Sequence, residues 1–325
     1  MATEIPDSSL SRGLWASLER DALRWVVNLG TAVYTVDLSP DGSRVAAGGH
    51  SGTIFVIDRE SARARALRGH QGRVEAVALS DSGKRLWSVS LDGSLRQWDV
   101  ASGMQLRLLQ APSGGLRALA LDPQGRWVMA AGEAGLLWRW RLDEEQPGLT
   151  LRGHQGQVEA LALHPDGTRL VSAGQDGKLI FWDLAKGEID KTLDAGFPRL
   201  VSLGVSPDGR WLLAGDRRGL VSFFDLTSGA APEQVQVAPN DLRALAMDPT
   251  GRRFAAGTSD VGIFDLDSRR RVGRLARHED LIYSLVFGAQ GRTLVSGTLG
   301  GRVRLFDRQR PGVAAARGDG GGGGA

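Results

Sequence analysis

The stretch LRGHQGRVEAVALSDSGKRLWSVSLDGSLRQWD, residues 67–99, decides the fold. Its apolar runs, Val74 to Leu79, Arg85 to Val89 and Ser94 to Trp98, are separated by Asp81-Ser82-Gly83 and Asp92-Gly93, and another run, Gln105 to Leu109, follows. Short runs bounded by turn residues, with no 3.6-residue period, read as strands. Glycine, Asn or Asp at the turns supplies the positive φ that tight hairpins need. The segment is therefore one antiparallel unit of four strands in about 42 residues.

Working outward, the same unit recurs along the chain. A Pro-Asp-Gly-type turn places its glycine at Gly42, Gly83, Gly125, Gly167, Gly209, Gly251 and Gly291, at steps of 41, 42, 42, 42, 42 and 40 residues. Each turn is followed by an apolar residue paired with Asp or Arg: Ile57-Asp58, Trp98-Asp99, Trp140-Arg141, Trp182-Asp183, Phe224-Asp225, Phe264-Asp265 and Phe306-Asp307. The spacing from turn glycine to apolar residue is 15 in six copies and 13 in the sixth. A fixed period of this length sets the architecture before any single element is considered.

A unit this small cannot bury both of its faces, so the seven must pack side by side, and closing them into a ring leaves few exposed edges. Inner strand sets fall at residues 33–58, 74–99, 116–141, 158–183, 200–225, 243–265 and 282–307. The last set has no outer strand after it, while the N-terminal side has a spare one in Leu23 to Leu29. The expected fold class is all-β: a seven-bladed β-propeller of four-stranded antiparallel blades, with the N-terminal strand completing the last blade. Residues 22–310 form the propeller, 1–21 an extension and 311–325 a Gly-rich tail. In the extension, Asp7 or Ser9 caps a short helix with Leu10, Leu14 and Leu18 on one face beside Trp15.

Composition excludes several chemistries. The chain has 325 residues, 45 of them glycine, and a formal charge of +3, too small on this length for bulk attraction to a polyanion. Without cysteine there is no disulfide, thiolate metal site or cysteine nucleophile. No run approaches the roughly 18 apolar residues of a membrane helix, and none of signal-peptide character opens the chain. A cytoplasmic protein without cofactor is expected. The glycine run Gly320 to Gly324 lacks the Lys-Ser/Thr and the helix of a phosphate loop.

These units resemble WD40 repeats, with Leu-Arg-Gly-His at 67–70 and 151–154 and Trp-Asp at 98–99 and 182–183. A bacterial source is expected. The resemblance implies a structural tetrad in which His, Ser, Asp and Trp staple a blade. His70, Ser88, Asp92 and Trp98 fill it in the second copy, and His154, Ser172, Asp176 and Trp182 in the fourth. Other copies depart: the third has Ala130 and Ala134 beside Trp140, the fifth Ala214, Arg218 and Phe224, and the seventh keeps His278 and Ser296 with Gly300 and Phe306. His164 reads as a solvated turn residue, and His50 as the histidine left to bind something. No His pair or carboxylate cluster has metal-ligand spacing, so no metal site and no catalytic residue is expected.

The irregular positions carry the functional reading. The second residue of each innermost strand is Tyr34, Glu75, Arg117, Glu159, Val201, Arg243 and Tyr283, including both tyrosines of the chain. A mere core position would be uniformly apolar. In the family this position lies at the rim of the central channel, and Tyr and Arg are enriched among residues that dominate interfaces. The neighbouring turns add His50, Leu91, Glu133, Gln175, Arg217, Ser259 and Leu299, with Leu91 and Leu299 exposed. The expected function is a non-enzymatic scaffold or adaptor within a larger complex. It would bind a peptide or protein segment through Tyr34, Glu75, Arg117, Glu159, Arg243, Tyr283 and Arg217. Arg252-Arg253, Arg269-Arg270-Arg271, Arg274 and Arg277 motivate a nucleic-acid or anionic-ligand alternative, which is disfavoured. An enzyme with a site in the channel is the remaining class.

Overall fold

The computed structural model describes residues 3–4, 23–80, 83–122, 124–142, 144, 146–194, 200–275 and 278–307. Twenty-eight strands make seven four-stranded antiparallel blades, and a two-residue strand, Thr3–Glu4, is added to one of them. The first blade consists of Val33–Leu38, Arg44–Gly49, Ile54–Asp58 and Ala64–Leu67, running from the channel outward. Innermost strands of the next five are Val74–Leu79, Leu116–Leu121, Val158–Leu163, Leu200–Val205 and Ala244–Met247, each again followed outward by three consecutive strands.

The seventh blade is built from both ends of the propeller. Ile282–Phe287, Thr293–Thr298 and Arg302–Asp307 are completed by Leu23–Asn28, which pairs antiparallel with Arg302–Asp307 through Val26↔Arg304 and Val27↔Val303. Trp25 fixes the closure laterally, its indole Nε1 donating to the Arg59 carbonyl of the first blade at 2.8 Å. The innermost strand of the seventh blade packs against that of the first, so the ring closes.

Each blade is too thin to hold its own core. Among the described residues, seven apolar clusters form, one between each pair of neighbouring blades. The cluster at the closing interface joins Val33, Val36, Val45 and Ile57 of the first blade to Val295, Val303 and Leu305 of the seventh. Every glycine of the seven Pro-Asp-Gly-type turns has positive φ, between 63° at Gly83 and 73° at Gly209.

Two sequence expectations need correction. His164 is buried at 8% exposure: its ring packs under the neighbouring blade's turn, with Nε2 3.0 Å from the Gly209 carbonyl. The residue before Pro-Asp-Gly is buried in several blades, as at Ser39, Ser206 and Asp248, because it holds its own turn: Ser39 Oγ donates to Asp41 at 2.5 Å, and Asp248 accepts from Thr250 N at 3.0 Å. Leu91 is half-buried, whereas Leu299 is exposed at 41%. Within the expected N-terminal extension, Thr3–Glu4 is a strand pairing parallel to Glu233–Gln236 of the fifth blade. The helix expected around Leu10, Leu14 and Leu18, Trp15, and the tail lie outside the described residues.

Candidate partner-binding face

In six innermost strands the antiparallel register slips at the same place: between Val33 and Thr35, Val74 and Ala76, Leu116 and Ala118, Val158 and Ala160, Leu200 and Ser202, and Ile282 and Ser284. The residue skipped each time is Tyr34, Glu75, Arg117, Glu159, Val201 or Tyr283. A bulge takes one residue out of the ladder and re-aims its side chain, which is why this position escapes the apolar rule of its strand. The register leaves little room at this step. A Cβ on Gly49 would come within 1.9 Å of the Ala32 carbonyl oxygen, and one on Gly132 within 2.0 Å of that of Gly115. In the sixth blade Arg243 stands immediately before the strand, its N–H donating to the Gly257 carbonyl at 3.2 Å.

The bulged residues converge. Tyr34, Glu75, Arg117, Glu159, Val201, Arg243 and Tyr283 line one cavity of about 250 Å³, together with Arg217 from the fifth blade's turn and Arg73. All seven partner-binding residues expected from sequence are thus in one wall. Arg73 was missed: it precedes the strand of the second blade, and its closeness to Glu75 was the available signal. All nine side chains are half-buried.

Across the seam between first and seventh blades, four side chains stack. Arg73 lies over the Tyr34 ring at 5.4 Å, Tyr34 meets Tyr283 at 5.2 Å between centroids, and Arg243 lies over Tyr283 at 4.6 Å while donating to its hydroxyl at 2.7 Å. His50 approaches the outer edge of Tyr34 at 6.5 Å. On the opposite side, Arg117 sits among three carboxylates, 3.9 Å from Glu75, 3.6 Å from Glu133 and 3.9 Å from Glu159. Glu75 also pairs with Arg73, and Glu159 accepts from Gln175. Burial pushes the Glu75 carboxyl above its ordinary range against the opposing pull of Arg73 and Arg117. Among the described residues, the Nε groups of Arg117 and Arg243 have no hydrogen-bond partner.

Both expected tetrads form connected hydrogen-bonded sets within their blades. Trp182 Nε1 donates to Ser172 Oγ at 2.8 Å; that hydroxyl stands 2.7 Å from His154 Nε2, and His154 Nδ1 lies 3.0 Å from Asp176. The second blade repeats this, with Trp98 to Ser88 at 2.8 Å, Ser88 to His70 at 2.8 Å and His70 to Asp92 at 3.0 Å. Since Ser Oγ receives the indole proton, its own proton goes to Nε2, and the neutral imidazole donates from Nδ1 to the carboxylate. Burial holds both imidazoles below their ordinary value, although the aspartates pull upward. For Asp92 burial acts to raise the carboxyl, but hydrogen bonds from His70, Ser94 and Gln71 outweigh it and hold the group well below the carboxylate range.

Other charges have structural partners. Arg253 pairs with Asp248 at 2.7 Å, Arg274 pairs with Asp260, and Arg269 is buried over Phe223 at 4.2 Å and Trp211 at 4.4 Å. Within the arginine cluster of the sixth blade, Arg253, Arg269 and Arg274 thus have partners in the fold, while Arg252, Arg270, Arg271 and Arg274 are exposed; Arg277 lies outside the described residues. No group of three or more His, Asp or Glu able to hold a metal occurs among the described residues, and no helix there is long and apolar enough to cross a membrane.

The family model described as "WD domain, G-beta repeat" matches residues 27–58, 62–99, 145–183 and 269–307. Residues 62–99 begin in the outer strand of one blade and end in the third strand of the next, so the sequence repeat straddles two blades and interlocks them. The chain is 35% identical over 77 residues to Transducin-like enhancer protein 2 of Mus musculus, covering 23% of this chain and 10% of that protein. It is 37% identical over 71 residues to Transcription factor unc-37 of Caenorhabditis elegans, with 22% and 12% covered, and 32% identical over 77 residues to Protein groucho of Drosophila melanogaster, with 23% and 10% covered. These three relatives are animal proteins and give the expected bacterial source no support. The match thus spans only about a tenth of each relative's length. Repeat matches, closure and tetrads together make the chain a seven-bladed β-propeller carrying WD40 repeats.

Proposed function

We propose that this propeller is a non-enzymatic interaction scaffold acting in the cytoplasm, and that its rim grips a peptide or protein segment within a larger complex. Tyr34, Glu75, Arg117, Glu159, Arg243, Tyr283 and Arg217 are the contact residues. The supporting observation is the shared cavity of about 250 Å³, walled by residues that the strand bulges turn out of the core. Rigid aromatic faces beside guanidinium and carboxylate groups suit a segment that presents both apolar and charged side chains. The pairing of Arg253 with Asp248 and of Arg274 with Asp260, and the burial of Arg269, weigh against a nucleic-acid surface on the sixth blade.

The test is affinity capture from the source cell with the full chain, comparing the native protein with an Arg117→Glu/Arg243→Glu variant and with a Tyr34→Ala/Tyr283→Ala variant. Each variant is expected to lose the captured partners while its far-ultraviolet signal shows a folded ring, the tyrosine variant being the control for the carboxylate crowding that Arg117→Glu adds beside Glu75, Glu133 and Glu159. Unchanged capture by both would overturn the rim as the binding face. Fractionation of the source cell checks the compartment.

A further inference from the structure

Arginines span the clefts between neighbouring blades. Arg59 of the first blade reaches Asp307 of the seventh at 2.7 Å. Arg65 donates to the Ala101 carbonyl, Arg107 to the Leu142 carbonyl and Arg139 to the Leu184 carbonyl at 3.0 Å, each from one blade to the next. Between the fifth and sixth blades Arg269 is buried over Phe223 at 4.2 Å and Trp211 at 4.4 Å, and it pairs with Glu233 at 3.4 Å. Among the described residues no arginine spans the cleft between the fourth and fifth blades in this way.

Gly229 stands four residues after Asp225, as Arg269 stands four after Asp265, and both have positive φ, 64° and 59°. Phe181 precedes Trp182 as Phe223 precedes Phe224, and Lys191 pairs with Phe181 in the register that pairs Glu233 with Phe223. The aromatic floor is thus kept, but the guanidinium that covers it in the next cleft has no counterpart. A Cβ at Gly229 would meet nothing within 4 Å. The result is a cavity of about 270 Å³ walled by Phe181, Leu193, Phe224, Leu226, Gly229 and Pro232.

Most polar groups of this wall are engaged. Arg169 pairs with Asp166 at 2.8 Å, His164 bonds to the Gly209 carbonyl, and Asp225 accepts from Arg210, Thr227 and Ser228. The Leu226 carbonyl, which corresponds to those of Leu142 and Leu184, receives no hydrogen bond among the described residues. Asp190 and Lys191 are exposed and have no ion pair there, and Asp190 is set out of the strand ladder by a bulge between Ile189 and Lys191. An aromatic floor, an open carbonyl and an unpaired carboxylate are what the other clefts offer their arginines.

We propose that the cleft between the fourth and fifth blades binds an arginine side chain of a partner segment. The guanidinium lies on Phe181 and donates to the Leu226 carbonyl and to Asp190, while the stem rests against Leu193 and Pro232. Lys191 is the poorer occupant, since its compact ammonium has no planar face to lay on the ring. The site shares no wall residue with the rim cavity and does not depend on it.

The probe is an immobilised pentapeptide library with arginine at its centre, beside matched libraries carrying lysine or citrulline there, each titrated with the full chain. The arginine library is expected to be retained about tenfold better than the citrulline library, which keeps the shape of the side chain but loses the charge that a ring face attracts. Lysine should also fall below arginine. Asp190→Asn should weaken arginine binding about threefold, the scale of an exposed ion pair. Gly229→Arg and Lys191→Arg should each abolish it by supplying the guanidinium from the chain itself, and Tyr34→Ala/Tyr283→Ala should leave it unchanged. Equal retention of the three libraries, an arginine preference that survives in Gly229→Arg and Lys191→Arg, or one that is lost in the tyrosine variant would overturn the site. Lys191→Arg alters an exposed side chain, so the result does not depend on the folding of Gly229→Arg.

Discussion

At the residue scale, the contrast between Trp182 and Trp140 isolates what the tetrad contributes. Both indoles are fully buried, but Trp182 Nε1 donates to Ser172 whereas Trp140 Nε1 has no partner among the described residues, since Ala130 stands where the serine would be. Trp182→Phe is expected to cost about 1 kcal/mol more than Trp140→Phe in denaturant unfolding, the usual worth of a buried hydrogen bond. Asp37 gives a second prediction. It accepts from Leu79 N of the next blade at 2.6 Å, and burial pushes its carboxyl up to about 6 despite the lowering effect of the Leu79 and Leu38 N–H groups. A raised carboxyl favours the folded state when protonated, so this contribution is full below the ordinary value of 3.8 and is lost as pH rises through about 6. Asp37→Asn should therefore stabilise the protein at neutral pH by on the order of 1 kcal/mol, and less near pH 4. The tetrad runs the other way: His70 and His154 are depressed from 6.5, and their stabilisation falls away as pH drops below that value. The tetrads were legible because their spacing is fixed within one repeat. Asp37 was not: it is one acid among 37, conspicuous only when set against the Ala, Gly or Val that holds its place in every other blade.

At the element scale, the strand order and the closing strand were readable from turn spacing, while the bulges were not. A bulge depends on how two strands are paired, and the sequence of one strand is compatible with either register. It explains afterwards why the second residue of each innermost strand disobeys the apolar pattern. Gly49→Ala should be costly in a thermal melt although the site is buried and alanine is small, because the added methyl meets the Ala32 carbonyl. His164 was misread for a related reason. The turn is open within its own hairpin and is covered by the neighbouring blade. Leu23–Asn28 is the element whose loss should matter most. Val27→Pro removes a backbone donor opposite Val303 and is expected to lower the melting temperature more than the same change in the outer strand Gln105–Gln110, whose blade is closed by contiguous chain.

At the scale of the whole molecule, stability is shared out among seven interfaces, each with its own apolar cluster, and loss of any one opens the ring. The native ring is therefore expected to unfold in a single transition, with near- and far-ultraviolet signals changing together; separate transitions would mean that blades melt independently. The two tyrosines of the rim stand on opposite sides of the ring's non-covalent closure, since the first blade is continuous in chain with Leu23–Asn28, which meets the rest of the seventh blade only by pairing with Arg302–Asp307. A guest held by both rings would act as a clasp on that junction. Occupancy should then slow the opening of the ring itself, so that hydrogen exchange in Leu23–Asn28, at the far edge of the seventh blade, reports on whether the rim is filled.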